Sequence, residues 1–205
     1  VGAGGGSIAW FDEQSRLNVG PRSAGSAPGP VCYGRGGTEP TITDANLVLG
    51  RIGAQSFLGG EMQLDEAAAR HAIDAHVATP LGFSGAAGLD ETAQGILALG
   101  TMTMAGAIKQ VTMERGLDPR DFALFAFGGG GPLHASQIAR ELNIPHVIIP
   151  PEPGIFSALR MVRADARVDE TRTFLRDLGP DSLADLEEAF GAMEEGMRGQ
   201  IEREL

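Results

Sequence analysis

Residues 121–162, DFALFAFGGGGPLHASQIARELNIPHVIIPPEPGIFSALRMV, constrain the fold more than any other stretch of the chain. They set an apolar run, four consecutive glycines, a helical pattern, a second apolar run and a second helical pattern in that order. FALFAF (122–127) and HVIIP (146–150) read as strands buried on both faces, because neither alternates with polar residues. The pattern between them predicts a helix from Pro132 to about Leu142, and PEPGIFSALRMV predicts another. A strand, a crossover helix and a second strand imply a parallel pair with a right-handed connection. Such sheets bind ligands at the carboxyl ends of their strands, where the four glycines lie.

The glycine loop is not a Walker A element, since no Lys-Ser or Lys-Thr follows to meet phosphate and magnesium. Nor is it a dinucleotide fingerprint, because Leu133 stands where the third glycine is required. Two readings stay open. The loop is a turn between strand and helix, with Pro132 at a first-turn position where its missing amide costs nothing, or its bare backbone lets a flat ligand lie against it.

Upstream, the chain is dense in glycine and proline over residues 1–43. Short strands are predicted at Gly6–Phe11 and Leu17–Gly20 around the polar turn DEQSR, followed by an irregular loop. A short helix is predicted from near Thr43, capped by Thr43 or Asp44 and ending at Gly50. Helices at about Asp65–Val77 and Asp90–Arg115 follow, the second closed by Gly116, with Gly100, Ala105 and Gly106 suited to close packing. ARVDETRTF has strand character. Residues 181–205 predict an acidic amphipathic helix with Leu183, Leu186, Phe190, Met193, Met197 and Ile201 as its apolar stripe.

The 205 residues carry a formal charge of −11, and residues 181–205 hold eight acidic side chains against two arginines. This balance argues against nucleic acid or an anionic membrane as partner. Cys32 is the single cysteine, which excludes an internal disulfide and a thiolate zinc cluster and points to a cytoplasmic setting. No continuous apolar run reaches the length of a membrane span. The first and last residues read as lying inside elements, so the chain is expected to be a segment of a longer protein.

The candidate side chains are few. His134 follows the glycine loop, facing a cleft or satisfied in the packing. His71 and His76 are five apart and poorly placed to share a metal, and His146 heads a strand. No residue is assigned as a metal ligand. The turn Gly4, Gly5, Gly6 and Ser7 is a bend or an anion contact. Arg22 and Arg35 sit in the glycine-rich loop and are suited to a carboxylate or phosphate, or to nothing specific.

GAGGGSIAWFD, NVGPRSAGSAPGPVCYGRGGTEPTITDANLVLGRI, FLGGEMQLD, ERGLDPRDFALFAFGGGGPLHASQIARELNIP and PPEPGIFSALRMVRAD together resemble the hydantoinase A family, which includes N-methylhydantoinase, 5-oxoprolinase and the nucleotide-binding subunits of acetone and acetophenone carboxylases. The resemblance implies an α/β fold, the second half of the actin, sugar-kinase and heat-shock type ATPase fold, with parallel strands, crossover helices and a helical insert. Residues 1–164 would be a partial ATPase-like domain, made of a glycine-rich region (1–43), a helical part (44–116) and a nucleotide lobe (117–164). Residues 165–205 would begin a following region.

By the same resemblance, Gly128, Gly129, Gly130 and Gly131 would lie against the base and ribose of ATP, and Gly154 would belong to the second element connecting the lobes. Asp44 would place a carboxylate near the substrate or a magnesium-bound water, with helix capping as its alternative, and His134 stands beside it as a catalytic candidate. The family's Asp-x-Gly-Gly-Thr phosphate hairpins are missing from this sequence, so ligands for phosphate and Mg2+ are expected mostly outside it, and the fragment alone is expected to be inactive. GFSGAAGLDE is longer and richer in glycine than the helix connection usual at this place. The implied activity is ATP-dependent opening of a hydantoin or 5-oxoproline ring, a small cyclic amide, in an oligomer with a hydantoinase B-type partner. The alternatives are an ATP-dependent ketone carboxylase subunit and a non-catalytic, partner-binding remnant.

Overall fold

The computed structural model describes residues 2–163, 165, 167–177 and 179–204. The domain boundary expected at residue 164 and the first residue of ARVDETRTF lie outside them. The chain forms two compact units, Val1–Ser157 and Ala158–Leu205.

In the first unit, β1 (Ser7–Phe11) and β2 (Leu17–Ser23) form an antiparallel hairpin in which Ala9 opposes Val19 and Phe11 opposes Leu17. β2 runs three residues beyond the predicted end at Gly20. Ser23 remains paired with Ser7 across an irregularity in the register, which lets the strand absorb Gly20 and Pro21.

The helix α1 (Ile42–Val48) begins one residue before the predicted start, and its cap is Thr41 rather than Thr43. Thr41 and Asp44 form a reciprocal capping box. Thr43 instead donates through its hydroxyl and its amide to the Gly5 carbonyl, both at 2.9 Å, which ties the N-terminal glycine turn to the helix.

The helix α2 (Glu66–Ile73), capped by Asp65, passes through a wide turn at Asp74–Ala78 into the short α3 (Thr79–Leu81), so the helical path outruns its predicted end at Val77. The long α4 (Gly85–Met113) starts five residues earlier than predicted and absorbs most of GFSGAAGLDE. Its first turns are worth forming because Leu89 is buried and Gly88 packs on Phe83.

α1, α2, α4 and the hairpin enclose the main core, with Ile42, Leu47, Ile73, Val77, Ile96 and Leu97 almost fully buried. Gly100 permits the closest approach, since a Cβ there would lie 2.6 Å from Ile42 Cδ1. Gly106, expected to do the same, faces open space. By length and mean composition α4 is apolar enough to cross a membrane, although Thr, Gln and charged residues interrupt it and it holds no continuous apolar run of that length. Its apolar character comes from Ala, Leu, Ile, Val and Met interspersed with Gly, Thr and Gln. Leu89, Ala93, Ile96 and Leu97 pack one side of the helix into the main core, and Ala105 packs into the second.

The strands β3 (Ala123–Phe125) and β4 (His146–Ile148) are parallel, with Leu124 opposite Val147, and α5 (Gly131–Leu142) connects them. Ile138, Ala139 and Leu142 of α5 form a second core with Ala105 and Ile144. The strands were predicted to be buried on both faces. Instead Phe125, Phe127, Ile148 and Ile149 are 41%, 44%, 47% and 49% exposed. Helix α5 supplies one covering layer, and among the described residues β3 and β4 pair only with each other.

α6 (Phe156–Arg163) crosses from the first unit into the second, which contains the acidic α7 (Pro180–Glu204). Residues 167–177 form no strand, against expectation, because no neighbouring strand among the described residues receives their backbone hydrogen bonds. Leu186, Phe190 and Met193 of α7 line a small cavity with Phe174, while Leu183 remains exposed.

Candidate nucleotide site

β3 delivers the chain to the glycine loop. The Ala126 amide donates to the Ile148 carbonyl at 2.9 Å, and two residues later the Gly128 amide donates to the Pro153 carbonyl at 2.7 Å. Pro153 and Gly154 lie in a tight turn, Pro153–Ile155, so Gly154 follows directly on the residue that accepts from the Gly128 amide. Phe125, Phe127 and Phe156 pack with their rings tilted against one another, with ring centroids 5.2–5.9 Å apart.

Gly128 has φ +84°, a conformation that disfavours any side chain, so the fold itself accounts for this glycine. The other three are not explained in that way. Gly129, Gly130 and Gly131 have ordinary φ, and a Cβ on any of them would meet nothing within 4 Å. They are exposed, and Gly130 caps α5 without a side-chain hydrogen bond. The result is an open helix N-terminus whose free amides and dipole suit a negatively charged group.

His134 is the fourth residue of α5 and points inward, 2% exposed, with Nδ1 unpartnered among the described residues. Burial and, secondarily, the positive charge of Arg51 hold its imidazole below the ordinary value and favour the neutral form. A folded-state value below the unfolded one means that the unfolded chain takes up the proton first. The associated stability is therefore present above about pH 6.5 and is lost as the pH falls through the folded-state value. Urea denaturation at pH 7.5 and 5.5 is expected to show a larger loss for the native chain than for His134→Asn.

Asp44 is fully buried. Its Oδ1 accepts from the Cys32 amide at 2.8 Å, and its Oδ2 accepts from the Thr41 amide and hydroxyl, both at 2.8 Å, and from the Val31 amide at 3.3 Å. All of these donors belong to residues 31–41, and none comes from α5. Of the two roles left open for Asp44, this geometry describes capping, extended into a clasp on the 31–33 turn. The Cys32 carbonyl in turn accepts from the Asp65 amide at 2.8 Å, so the clasp also seats the start of α2. Burial foremost, and then the Asp44 carboxylate, push the Cys32 thiol far up, leaving it an inert core residue.

Of the other candidates, Arg22 is taken up by Glu39 at 2.7 Å and stacks over Trp10, while Arg35 is exposed. Ser7 Oγ accepts from the Gly4 amide at 2.9 Å, closing that turn on itself. His71, His76 and His146 are exposed, and among the described residues no group of three His, Cys, Asp or Glu side chains converges as a metal site. Sequence reasoning passed over Arg51 and Gln137, whose side chains meet at 3.3 Å. Gln137 stands three residues after His134, on the same face of α5, and that spacing was the available signal.

Residues 1–170 match the hydantoinase/oxoprolinase family. The chain belongs to that family. It is 44% identical to the alpha subunit of caprolactamase from Pseudomonas jessenii over 95% of its own length and 27% of that protein. It is 48% identical to the gamma subunit of acetophenone carboxylase from Aromatoleum aromaticum over 78% of its length and 21% of that protein. Among solved structures, the ATP-dependent caprolactamase of Pseudomonas jessenii superimposes with a TM-score of 0.68 at 47% identity, covering 76% of this chain and 22% of that one. Nucleotide-free acetone carboxylase superimposes with a TM-score of 0.77 at 29% identity, covering 100% of this chain and 29% of that one. The chain thus spans about a quarter of the length of these relatives. Its fold is the expected one, α/β and the second half of an actin, sugar-kinase and heat-shock type ATPase fold.

Proposed function

We propose that the chain carries the adenosine-side half of the ATP site of an ATP-dependent hydrolase that opens a small cyclic amide. The observation that carries this reading is the open N-terminus of α5, where three glycines have no steric or conformational need within their own chain. Residues that the fold does not require to be glycine are accounted for by a ligand that needs their backbone bare. ATP would supply a phosphoryl group to the amide oxygen, making the ring carbon electrophilic enough for water. The chain's own part is to hold the nucleotide: Gly128–Gly131 against base and ribose, with Gly154 at the connection beside them. Magnesium ligands and the cradle for the transferred phosphate are assigned outside these residues. Residues 1–164 are assigned to the ATPase-like domain and residues 165–205 to a following region. A second subunit of hydantoinase B type in a larger oligomer is the proposed partner, in keeping with the subunit names of the relatives.

Calorimetric titration of the intact protein with ADP tests the site. Saturable heat is expected, and Gly130→Asp is expected to weaken binding at least about tenfold, because its side chain fills the space in which the base and ribose would lie against the bare backbone. Gly130→Ala is expected to change stability by no more than about 0.5 kcal/mol, since its Cβ enters open space. Absence of ADP heat in the native protein would falsify the reading.

The 48% identity to an acetophenone carboxylase subunit favours one other reading, an ATP-dependent ketone carboxylase subunit. ATP turnover that requires both a ketone and bicarbonate, with none on hydantoin, 5-oxoproline or a lactam, would select it.

A further inference from the structure

We propose that the groove between α4 and α5 beside Arg51 is a binding site for a small oxyanion, a carboxylate or a phosphate, held by the Arg51 guanidinium and the side-chain amide of Gln137. The groove has two adjoining cavities of about 440 and 390 Å³. Leu49, Arg51 and Gln94 line the first, Thr101 and Arg140 line the second, and Ala98 and Gln137 are common to both.

The groups left free in the groove are mostly donors. Gln137 Oε1 accepts from Arg51 Nη1 at 3.3 Å and from Thr101 Oγ1 at 3.4 Å. With both lone pairs of that oxygen engaged, the amide offers its two N–H groups. Arg51 uses one N–H on Gln137, and neither Arg51 nor Arg140 on the far side makes an ion pair among the described residues. The one carboxylate in the lining, Glu141, is drawn toward Lys109 Nζ at 3.9 Å. Arg51 and Arg140 thus line one groove as guanidinium groups without carboxylate partners among the described residues, which leaves both able to take an external anion. Guanidinium and amide N–H groups are donors of the kind that meet the paired oxygens of a carboxylate or phosphate.

The inference stands apart from the nucleotide reading, and its test separates the two. The intact protein is titrated by calorimetry at low ionic strength with inorganic phosphate, with glutarate as a carboxylate probe, and with adenosine. Saturable heat is expected from phosphate or glutarate, and whichever binds more tightly names the source of the oxyanion. Arg51→Ala is expected to weaken that binding at least tenfold. Arg51→Lys should keep part of it. Gln137→Glu, which preserves shape but replaces the donor with a negative charge, should abolish it, while Gly130→Asp should leave it unchanged. Arg51 is exposed, so an unchanged melting temperature in its variants shows that the loss lies in the groove. No saturable heat from either anion at millimolar concentration would overturn the proposal. So would anion binding that Gly130→Asp removes and Arg51→Ala does not, or a groove that adenosine fills in an Arg51-dependent way while neither anion competes.

Discussion

Asp44→Asn is expected to destabilise the protein by about 3–5 kcal/mol, a large part of the roughly 5–15 kcal/mol that holds a domain of this kind together. The carboxylate accepts four hydrogen bonds in a fully buried site. The isosteric amide keeps one acceptor oxygen and turns its NH2 toward donors that already point inward. If the amide oxygen takes the Oδ1 place, the Thr41 amide and hydroxyl and the Val31 amide lose their acceptor. In the opposite orientation it is the Cys32 amide. Each orphaned buried donor costs about 1–3 kcal/mol. Urea denaturation of Asp44→Asn beside Thr41→Ala checks the origin of the loss, because removal of the cap alone is expected to cost about 1 kcal/mol. An Asp44→Asn variant as stable as the native chain, with ATP turnover of the intact protein lost, would return Asp44 to a catalytic role.

Gly37→Ala has the next largest expected effect, about 2–4 kcal/mol, through steric exclusion. A Cβ at Gly37 would collide with the Gly29 carbonyl oxygen and lie 3.1 Å from the Pro30 carbonyl carbon and oxygen. All of these are backbone atoms with no rotamer in which to retreat. The loop must open, and it is the loop that delivers the Val31 and Cys32 amides to Asp44. The two substitutions are therefore expected to be non-additive, with the double variant losing less than the sum. Gly4→Ala, where a Cβ meets nothing within 4 Å, is the matched control and is expected to be nearly neutral.

Local signals served the reading of this chain well where structure is decided locally. The spacing of apolar residues in α4, α5 and α7, the strand, glycine loop and helix of the nucleotide lobe, and the parallel pairing of β3 with β4 all follow from periodicity and turn chemistry. The capping box illustrates the limit. Thr41, Thr43 and Asp44 are all residues that cap helices, and which of them did so depended on the Gly5 carbonyl engaging Thr43, 38 residues away along the chain. The strand expected in ARVDETRTF failed for a related reason, since β structure requires a partner strand that no local pattern supplies.

The sequence by itself determined the family, the order of strands and helices, and the place of the glycine loop at the carboxyl end of a parallel strand, because these depend on residues near one another in the chain. Only the tertiary structure decided which glycines the fold requires. Gly128 answers to its own backbone angle, whereas Gly129, Gly130 and Gly131 answer to nothing in the chain, a distinction that depends on the space around them rather than on their identity. It also decided that Asp44 is saturated by donors from residues 31–41, and that Arg51 and Gln137, 86 residues apart, meet at one groove. Hydrogen bonds and electrostatic fields act through space, and the separations they act across are fixed only when the chain has folded.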